Sequence, residues 1–98
     1  VGAQDELIFD GGSFAVDEKG KTLARALHFE EDLVLVDLAK GEGQIQPRPT
    51  ISDELLRRAL VLGIRDFCAK TKIRKIALGL SGGIDSALVA CLAVDALV

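Results

Sequence analysis

The sequence lacks the features that mark several broad classes of protein. Its 12 basic residues are outnumbered by 15 acidic ones, so no excess of positive charge favours nucleic acid or an anionic membrane. The longest uncharged apolar run extends only from Ala87 to Val94, whereas a membrane-spanning helix needs about 20 residues. We therefore expect no nucleic-acid partner, no membrane partner and a cytoplasmic location.

Cysteine and histidine are scarce as well. Cys68 and Cys91 lie in separate apolar stretches without CxxC or metal-ligand spacing, which predicts two buried free thiols. The single histidine, His28, has no partner in a recognisable ligand or triad pattern. We therefore expect His28 at the surface, and neither residue type predicts a metal or triad site.

The first part of the chain has the pattern of short strands. Between Leu7 and Leu38, apolar segments of a few residues are separated by turns, and the stretch 13–17 alternates with a period of two. The turn 18–21 contains Gly20, which is expected to supply a positive φ angle. Three or four such strands predict the antiparallel edge of a larger β layer with one apolar face.

The composition changes between Ala39 and Thr50. This stretch contains two glycines, two prolines and mainly polar residues, which prevent a continuous helix or a central strand. We interpret it as a linker. The chain then divides into residues 1–38, a linker over residues 39–50 and a second part over residues 51–98.

The second part begins with a helical pattern, from about Asp53 to Lys70. Either Ser52 or Asp53 can cap the start of this helix, and the acidic residues of the first turn suit the positive end of the helix dipole. Apolar residues recur at steps of three and four and predict one apolar stripe. The residues of that stripe are Leu56, Ala59, Leu60, Gly63, Ile64 and Phe67.

A strand, a glycine turn and a second helix are predicted next. The segment Ile76–Leu80 is wholly apolar, as expected for a parallel strand that is covered on both faces. After the turn, a helix is predicted from Ile84 or Asp85 onward. It is apolar nearly all round, so we expect it to be buried on both sides. This order of elements indicates the opening of a parallel α/β domain.

The turn between this strand and this helix has the composition of an anion-binding site. Gly82 and Gly83 would let an anion approach the first N–H groups of the helix, which lack intrahelical acceptors and carry the positive end of the dipole. Ser81 and Ser86 add hydroxyl donors. Because a carboxylate repels phosphate unless a cation lies between them, we predict that Asp85 helps to hold Mg²⁺.

Two common phosphate-binding motifs do not fit this turn. The Walker A motif needs a lysine after its last glycine, but Ile84 follows Gly83, and the glycines have the wrong spacing for a dinucleotide-binding GxGxxG motif. The glycines could also form no more than a tight turn, with Asp85 as an ordinary residue of the first helical turn. Local physics leaves both interpretations open.

The segment Ser81–Ser86, SGGIDS, resembles the SGGxDS signature of the ATP pyrophosphatases, which adenylate a carboxyl or carbonyl group and release pyrophosphate. The hexapeptide alone leaves GMP synthetases, asparagine synthetases and tRNA-thiolating enzymes open. Residues 58–97 resemble the start of the synthetase domain of NAD synthetases. Residues 1–38 are similar to the end of the nitrilase-like glutaminase domain of the glutamine-dependent members, which GMP and asparagine synthetases do not carry.

The resemblance implies an α/β fold made of parts of two domains. Residues 51–98 would be the N-terminal part of the synthetase domain, which is a parallel doubly wound α/β domain of the adenine nucleotide alpha hydrolase type. Residues 1–38 would be strands from the C-terminal part of a nitrilase-like α/β sandwich. The chain would thus be a segment of a longer enzyme, paired into a homo-oligomer through the synthetase domain.

The resemblance also implies a reaction. ATP adenylates the carboxylate of deamido-NAD⁺ with release of pyrophosphate, and ammonia from glutamine then displaces AMP to give NAD⁺. The Mg²⁺ contact carries over to Asp85, and no catalytic residue carries over to this segment. The ATP contact carries over to eight residues: Gly79, Leu80, Ser81, Gly82, Gly83, Ile84, Asp85 and Ser86.

Several further positions are candidates for a role in the glutaminase part. Nitrilase-type glutaminases use a Glu-Lys-Cys triad, and we reject Cys68 and Cys91 as its nucleophile because both lie in predicted helices of the other domain. Glu6, Asp10 and Ser13 lie in a family-like stretch without an assigned catalytic role.

Two alternatives to the main hypothesis remain at this point. The chain could belong to another SGGxDS enzyme, such as a tRNA-modifying or GMP synthetase-like one, or it could be a structural segment that is inactive when isolated. Arg57 stands where members of the NAD synthetase family often have tyrosine. That departure puts any aromatic substrate contact at this position in doubt.

Overall fold

The computed structural model describes all 98 residues, with short strands in the first half and two helices in the second. The molecule is elongated, with extents of 57 × 28 × 22 Å. Its elements are β1 (Gly2–Gln4), β2 (Leu7–Phe9), β3 (Phe14–Val16), β4 (Thr22–Arg25), β5 (Val36–Asp37), β6 (Glu42–Gly43), α1 (Ser52–Thr71) and α2 (Ile84–Leu97).

The strands form three antiparallel two-stranded sheets, β1–β2, β3–β4 and β5–β6. The predicted strand regions and their antiparallel pairing are therefore present. The strands are only two to four residues long, and the larger β layer to which they were expected to belong remains a prediction. The turn at Gly20 is as expected: Gly20 has a φ of 80° and donates its N–H to the carbonyl of Asp17.

Part of the predicted linker belongs to the sheet structure. Strand β6 lies within it, and Arg25 of β4 donates its N–H to the carbonyl of Gln44 and accepts from the N–H of Gln46, both at 2.9 Å. A Cβ atom at Gly43 would lie 2.7 Å from the carbonyl oxygen of Leu23. This glycine therefore permits close backbone approach instead of only breaking structure. The division of the chain into domains remains a prediction.

Helix α1 confirms the predicted helix and extends it by one residue at each end. Its N-cap is Ile51, which makes no side-chain cap hydrogen bond, so the predicted capping by Ser52 or Asp53 is wrong. Both residues lie inside the helix, where their acceptors cannot reach the N–H groups as an N-cap side chain does. The helix ends at Thr71, and its C-cap Lys72 has the left-handed conformation with a φ of 61°.

Helix α2 also forms where it was predicted, but it is buried on one side only. Leu92 and Ala96 pack with Val61 of α1, in a small core with the partly buried Ile64. Ile84 at the start of α2 is 83% exposed. The expectation of burial on both sides is wrong here because no sheet lies against the opposite face. No residue of the predicted apolar stripe of α1 is fully buried, and the buried residues of the helix, Val61 and Cys68, lie outside that stripe.

The segment Ile76–Leu80 forms no strand in this structure, contrary to the prediction. A strand is defined by its ladder of hydrogen bonds to a neighbour, and this chain supplies no parallel partner strand for the segment. It runs as an exposed connection from α1 to the glycine turn. The predicted parallel sheet is therefore not observed within these residues.

Two predictions of burial are corrected as well. Cys68 is buried as predicted, but Cys91 is exposed, and both are free thiols. The side chain of His28 is only 9% exposed, although we expected it at the surface. Its ring lies over Gly12, where a Cβ atom would come within 2.2 Å of Cε1. The absence of a side chain at Gly12 therefore leaves the space in which the His28 ring is buried. Neither helix is both long enough and apolar enough to span a membrane.

Candidate nucleotide-binding loop

The glycine turn leads directly into α2. Gly82 has a φ of +84°, a left-handed conformation that favours glycine. Gly83 is the N-cap of α2, with extended φ and ψ angles of −86° and 163°. A Cβ atom at Gly82 would meet nothing within 4 Å, so this glycine is needed for the backbone conformation and not for internal packing. The space beside the turn is open to a ligand.

The two serines of the turn are joined by hydrogen bonds. Their hydroxyl oxygens lie 3.1 Å apart, the N–H of Ser81 donates to Ser86 Oγ at 3.3 Å, and Ser86 Oγ donates to the carbonyl of Gly83 at 3.1 Å. The hydroxyl of Ser81 also accepts the N–H of Gly83 at 3.4 Å. These contacts link the two ends of the turn, residues 81 and 86.

The first N–H groups of α2 are available to a ligand. The first helical bond runs from the N–H of Ala87 to the carbonyl of Gly83, so the N–H groups of Ile84, Asp85 and Ser86 have no acceptor within the helix. These residues are exposed or half-buried. Three unpaired donors at the positive end of a helix dipole make this end of α2 favourable for a phosphate.

The carboxylate of Asp85 is the one charged group on this turn. It is exposed and makes no ion pair. No cluster of three metal-ligating side chains occurs in the chain. Mg²⁺, however, is commonly held by one or two carboxylates together with phosphate oxygens and water. A lone, unpaired carboxylate beside a phosphate site fits that way of binding.

The other sequence candidates lie apart from this loop. Asp10 approaches His28, with 3.5 Å between Oδ2 and Nδ1, and Ser13 accepts a backbone hydrogen bond from Ala26. Glu6 and Cys68 line an apolar groove between β1–β2 and α1. Of the predicted site residues, only the run 79–86, which is continuous in sequence, lies at the turn before α2. None of the other candidates lies beside it.

Sequence reasoning missed a charged cluster that joins the two helices. Glu54 accepts hydrogen bonds from Arg57 Nε and Arg58 Nε at 2.8 Å each, and Arg57 Nη1 reaches Asp95 of α2 at 2.9 Å. The hydrogen bond from Arg57, followed by that from Arg58, lowers the pKa of Glu54 to about 2. The spacing of Glu54 and Arg58 signals an ion pair along the helix, but nothing in the sequence signals Asp95.

Sequence reasoning also missed a charged pair on α1 that binds β1. Asp66 accepts the N–H of Ala3 at 2.6 Å, and Lys70 forms an ion pair with Asp66, with 2.8 Å between Nζ and Oδ2. The hydrogen bond from Lys70, and then that from the Ala3 N–H, holds the pKa of Asp66 below its usual value. The spacing of four residues was visible in the sequence, whereas the backbone partner was not.

Comparison with known proteins gives a consistent result. Residues 56–98 match the family model described as NAD synthase. The chain is 53% identical to a glutamine-dependent NAD(+) synthetase from Synechocystis, over 99% of this chain and 18% of that protein. It is 46% identical to the enzyme of the same name from Xanthomonas campestris, over 99% and 19% of the two chains.

A solved structure has the same fold over nearly the whole chain. It is that of glutamine-dependent NAD+ synthetase from Acinetobacter baumannii in complex with ADP, with a TM-score of 0.85 and 38% identity. The match covers 99% of this chain and 19% of that one. The chain thus spans about a fifth of the length of the relatives that it matches. The mixed α/β arrangement observed here is the arrangement of that part of a known synthetase.

Proposed function

Because residues 56–98 match the family model described as NAD synthase, we propose that the chain works as a segment of a glutamine-dependent NAD(+) synthetase. The observation that carries this proposal is the open, glycine-lined turn at the start of α2, in a chain that aligns with such enzymes over 99% of its length. The proposed reaction is the ATP-driven amidation of deamido-NAD⁺ to NAD⁺, with release of AMP and pyrophosphate.

In this proposal, residues 79–86 bind the pyrophosphate portion of ATP. The free N–H groups at the start of α2 donate to phosphate oxygens, and the hydroxyls of Ser81 and Ser86 add donors at the edge of the turn. The ADP complex of the Acinetobacter relative supports nucleotide binding by this fold. The absence of a lysine after the glycines suits a loop that holds a leaving pyrophosphate and does not transfer a terminal phosphoryl group.

Asp85 is proposed to hold Mg²⁺ together with phosphate oxygens. When bound, this ion would neutralise the negative charge that develops on the leaving pyrophosphate. The role of Asp85 is to fix the position of that charge beside the helix N-terminus, which its exposed and unpaired carboxylate can do. Without a cation, the same carboxylate would weaken phosphate binding.

The finer organisation is part of the proposal. Residues 1–38 would belong to the end of the nitrilase-like glutaminase domain, which supplies ammonia, and residues 51–98 to the start of a doubly wound synthetase domain. Residues 39–50 would connect them, although residues 42–46 also pair with the strands β4 and β5. A homo-oligomer formed through the synthetase domain and a cytoplasmic location complete the proposed arrangement.

The test is an assay of the full-length protein with ATP, Mg²⁺ and deamido-NAD⁺. We expect NAD⁺ to form with glutamine and also with free ammonium, since ammonia is the species that reacts with the adenylate. Failure to form NAD⁺ with either nitrogen source would refute the proposal. Omitting deamido-NAD⁺ is the control, and pyrophosphate should then not accumulate.

A further inference from the structure

Helix α1 contacts the first hairpin through charged side chains that bind the backbone of β1. The N–H of Ala3 donates to Asp66 Oδ2 at 2.6 Å, and its carbonyl accepts a hydrogen bond from Lys70 Nζ. Asp66 and Lys70 also pair with each other. A single strand residue therefore has both of its backbone polar groups bound by one ion pair, which lies 63 positions or more along the chain.

These two backbone groups lie on the outer edge of β1. Ala3 is opposite Ile8 in the antiparallel β1–β2 pair. Since its N–H and carbonyl are both used by α1, Ala3 occupies a position of the ladder that is not hydrogen-bonded to β2. An outer edge of this kind usually offers its groups to another strand. Here the Asp66–Lys70 pair takes the place that a neighbouring strand would have.

Two glycines let α1 and the hairpin approach closely. Gly2 has a φ of +132°, and a Cβ atom there would lie 3.1 Å from Asp66 Oδ2. A Cβ atom at Gly63 would lie 3.0 Å from Ile8 Cδ1. The charged contact at Ala3 and the apolar contact at Ile8 thus lie side by side, and together they define one joint between α1 and β1–β2.

We infer that Asp66 and Lys70 are positioning residues, which hold the synthetase part of the enzyme in a fixed orientation on the glutaminase part. This inference rests on the proposed function, because it assigns β1–β2 and α1 to two different domains. A chain connection alone leaves two domains free to reorient. Ammonia released in one domain must reach an adenylate in the other, so a loose joint should reduce its delivery without impairing either active site.

The contact has the properties that such a joint requires. Asp66 is three-quarters buried, with 24% of its side chain exposed, whereas Lys70 is 58% exposed. The carboxylate stays charged at neutral pH, since the pKa of Asp66 is lowered by Lys70 and by the Ala3 N–H. Because the amine remains accessible to solvent, added salt should weaken the pair. The joint is therefore charged at neutral pH and should be sensitive to added salt.

The experiment compares nitrogen sources in the full-length enzyme. Asp66→Ala and Lys70→Ala should lower NAD⁺ formation from glutamine by about tenfold relative to formation from saturating ammonium, the size of a typical coupling between sites. Glutamate released per NAD⁺ formed should rise, because ammonia escapes to solution. Lys70→Arg, which keeps a cationic donor, should restore part of the coupling.

The matched control is Arg58→Ala. Arg58 forms an ion pair of the same spacing on the same helix, with Glu54, and makes no recorded hydrogen bond or ion pair with the hairpin. It should leave the ratio of glutamine-driven to ammonium-driven rates unchanged. This control separates a joint between domains from a general effect of losing a helical ion pair.

The outcomes of this experiment separate the inference from the proposed function. An unchanged rate ratio in Lys70→Ala would overturn the inference while leaving the proposed function intact, and so would an equal fall of both rates, which a purely structural role predicts. A parent enzyme that makes no NAD⁺ even from ammonium would remove the proposed function and this inference with it. If Asp66→Ala gives no soluble protein, Lys70→Ala decides, since it leaves the carboxylate bound to Ala3.

Discussion

The starts of the two helices differ in a way that separates structure from function. Both lack a side-chain hydrogen bond from the N-cap residue, and both have an acidic first turn. At α1, the carboxylate of Glu54 is bound by Arg57 and Arg58. At α2, Asp85 has no ion-pair partner and the turn before it is lined by glycine.

The difference shows what a helix dipole can be used for. At α1, the carboxylate of Glu54 near the positive end is paired within the chain, and the same cluster joins α1 to α2 through Arg57 and Asp95. At α2, the same positive end is left free, and the only charge beside it has no internal partner. Substitutions at the start of α2 should therefore change ATP chemistry, and those at the start of α1 should change stability alone.

The largest expected effect comes from Asp85. Asp85→Ala in the full-length enzyme should lower pyrophosphate release by about a hundredfold, because a charge that positions Mg²⁺ is lost, while glutamine hydrolysis is comparatively unaffected. Asp95→Ala, which removes a carboxylate from the other end of α2, is the control. Equal pyrophosphate release by Asp85→Ala and the parent would show that the two helix starts do not differ in function.

A smaller effect is expected at Gly82, which has a φ of +84° with open space around it. Gly82→Ala should raise the KM for ATP by about tenfold, since the left-handed conformation costs a residue with a Cβ atom about 1–2 kcal/mol and the turn would relax out of shape. Gly20→Ala is closely matched, because Gly20 has a φ of +80° and also meets nothing within 4 Å. A similar KM in both variants would contradict the assignment of the loop.

Removal of a hydroxyl should have a still smaller effect. Ser86→Ala deletes the contacts to Ser81 and to the Gly83 carbonyl, and one or two hydrogen bonds of ordinary strength correspond to a rise of roughly threefold to tenfold in the KM for ATP. The control is Ser52→Ala at the start of α1. There the hydroxyl makes no recorded hydrogen bond, and ATP kinetics should not change.

The smallest effect is expected at α1 and concerns stability at low pH. The folded-state pKa of Glu54 is lowered from 4.5 to about 2, so its contribution to the free energy of unfolding is fully present above pH 4.5 and is lost as the pH falls towards 2. Glu54→Gln should be less stable than the parent at neutral pH, and this difference should shrink over that range. Acid unfolding followed by circular dichroism measures it.

Two further measurements test whether Glu54 affects stability alone. Because Glu54 is partly exposed to solvent, high salt should reduce the difference between Glu54→Gln and the parent. The KM for ATP should be the same in both proteins. A change in that KM would mean that the start of α1 also takes part in nucleotide binding, and the contrast between the two helices would then be lost.

Local features of the sequence predicted both helices, the turn at Gly20 and the glycine turn before α2. These depend on residues close in the chain: apolar side chains at helical spacing, glycines at positive φ, and serines near a helix start. The same reasoning failed for Ile76–Leu80 because a strand exists only through its neighbour. It failed for Cys91, His28 and the outer face of α2 because burial depends on what lies opposite.

The sequence by itself therefore determined the two helices and the turns at Gly20 and Gly82, since these are set by local conformational preference. Only the tertiary structure decided that Asp66 and Lys70 bind the backbone of Ala3, that Arg57 reaches Asp95, and that Asp85 is left unpaired. Those pairings join residues 38 to 67 positions apart. Such distant contacts follow from how the elements pack, which no local pattern in the chain records.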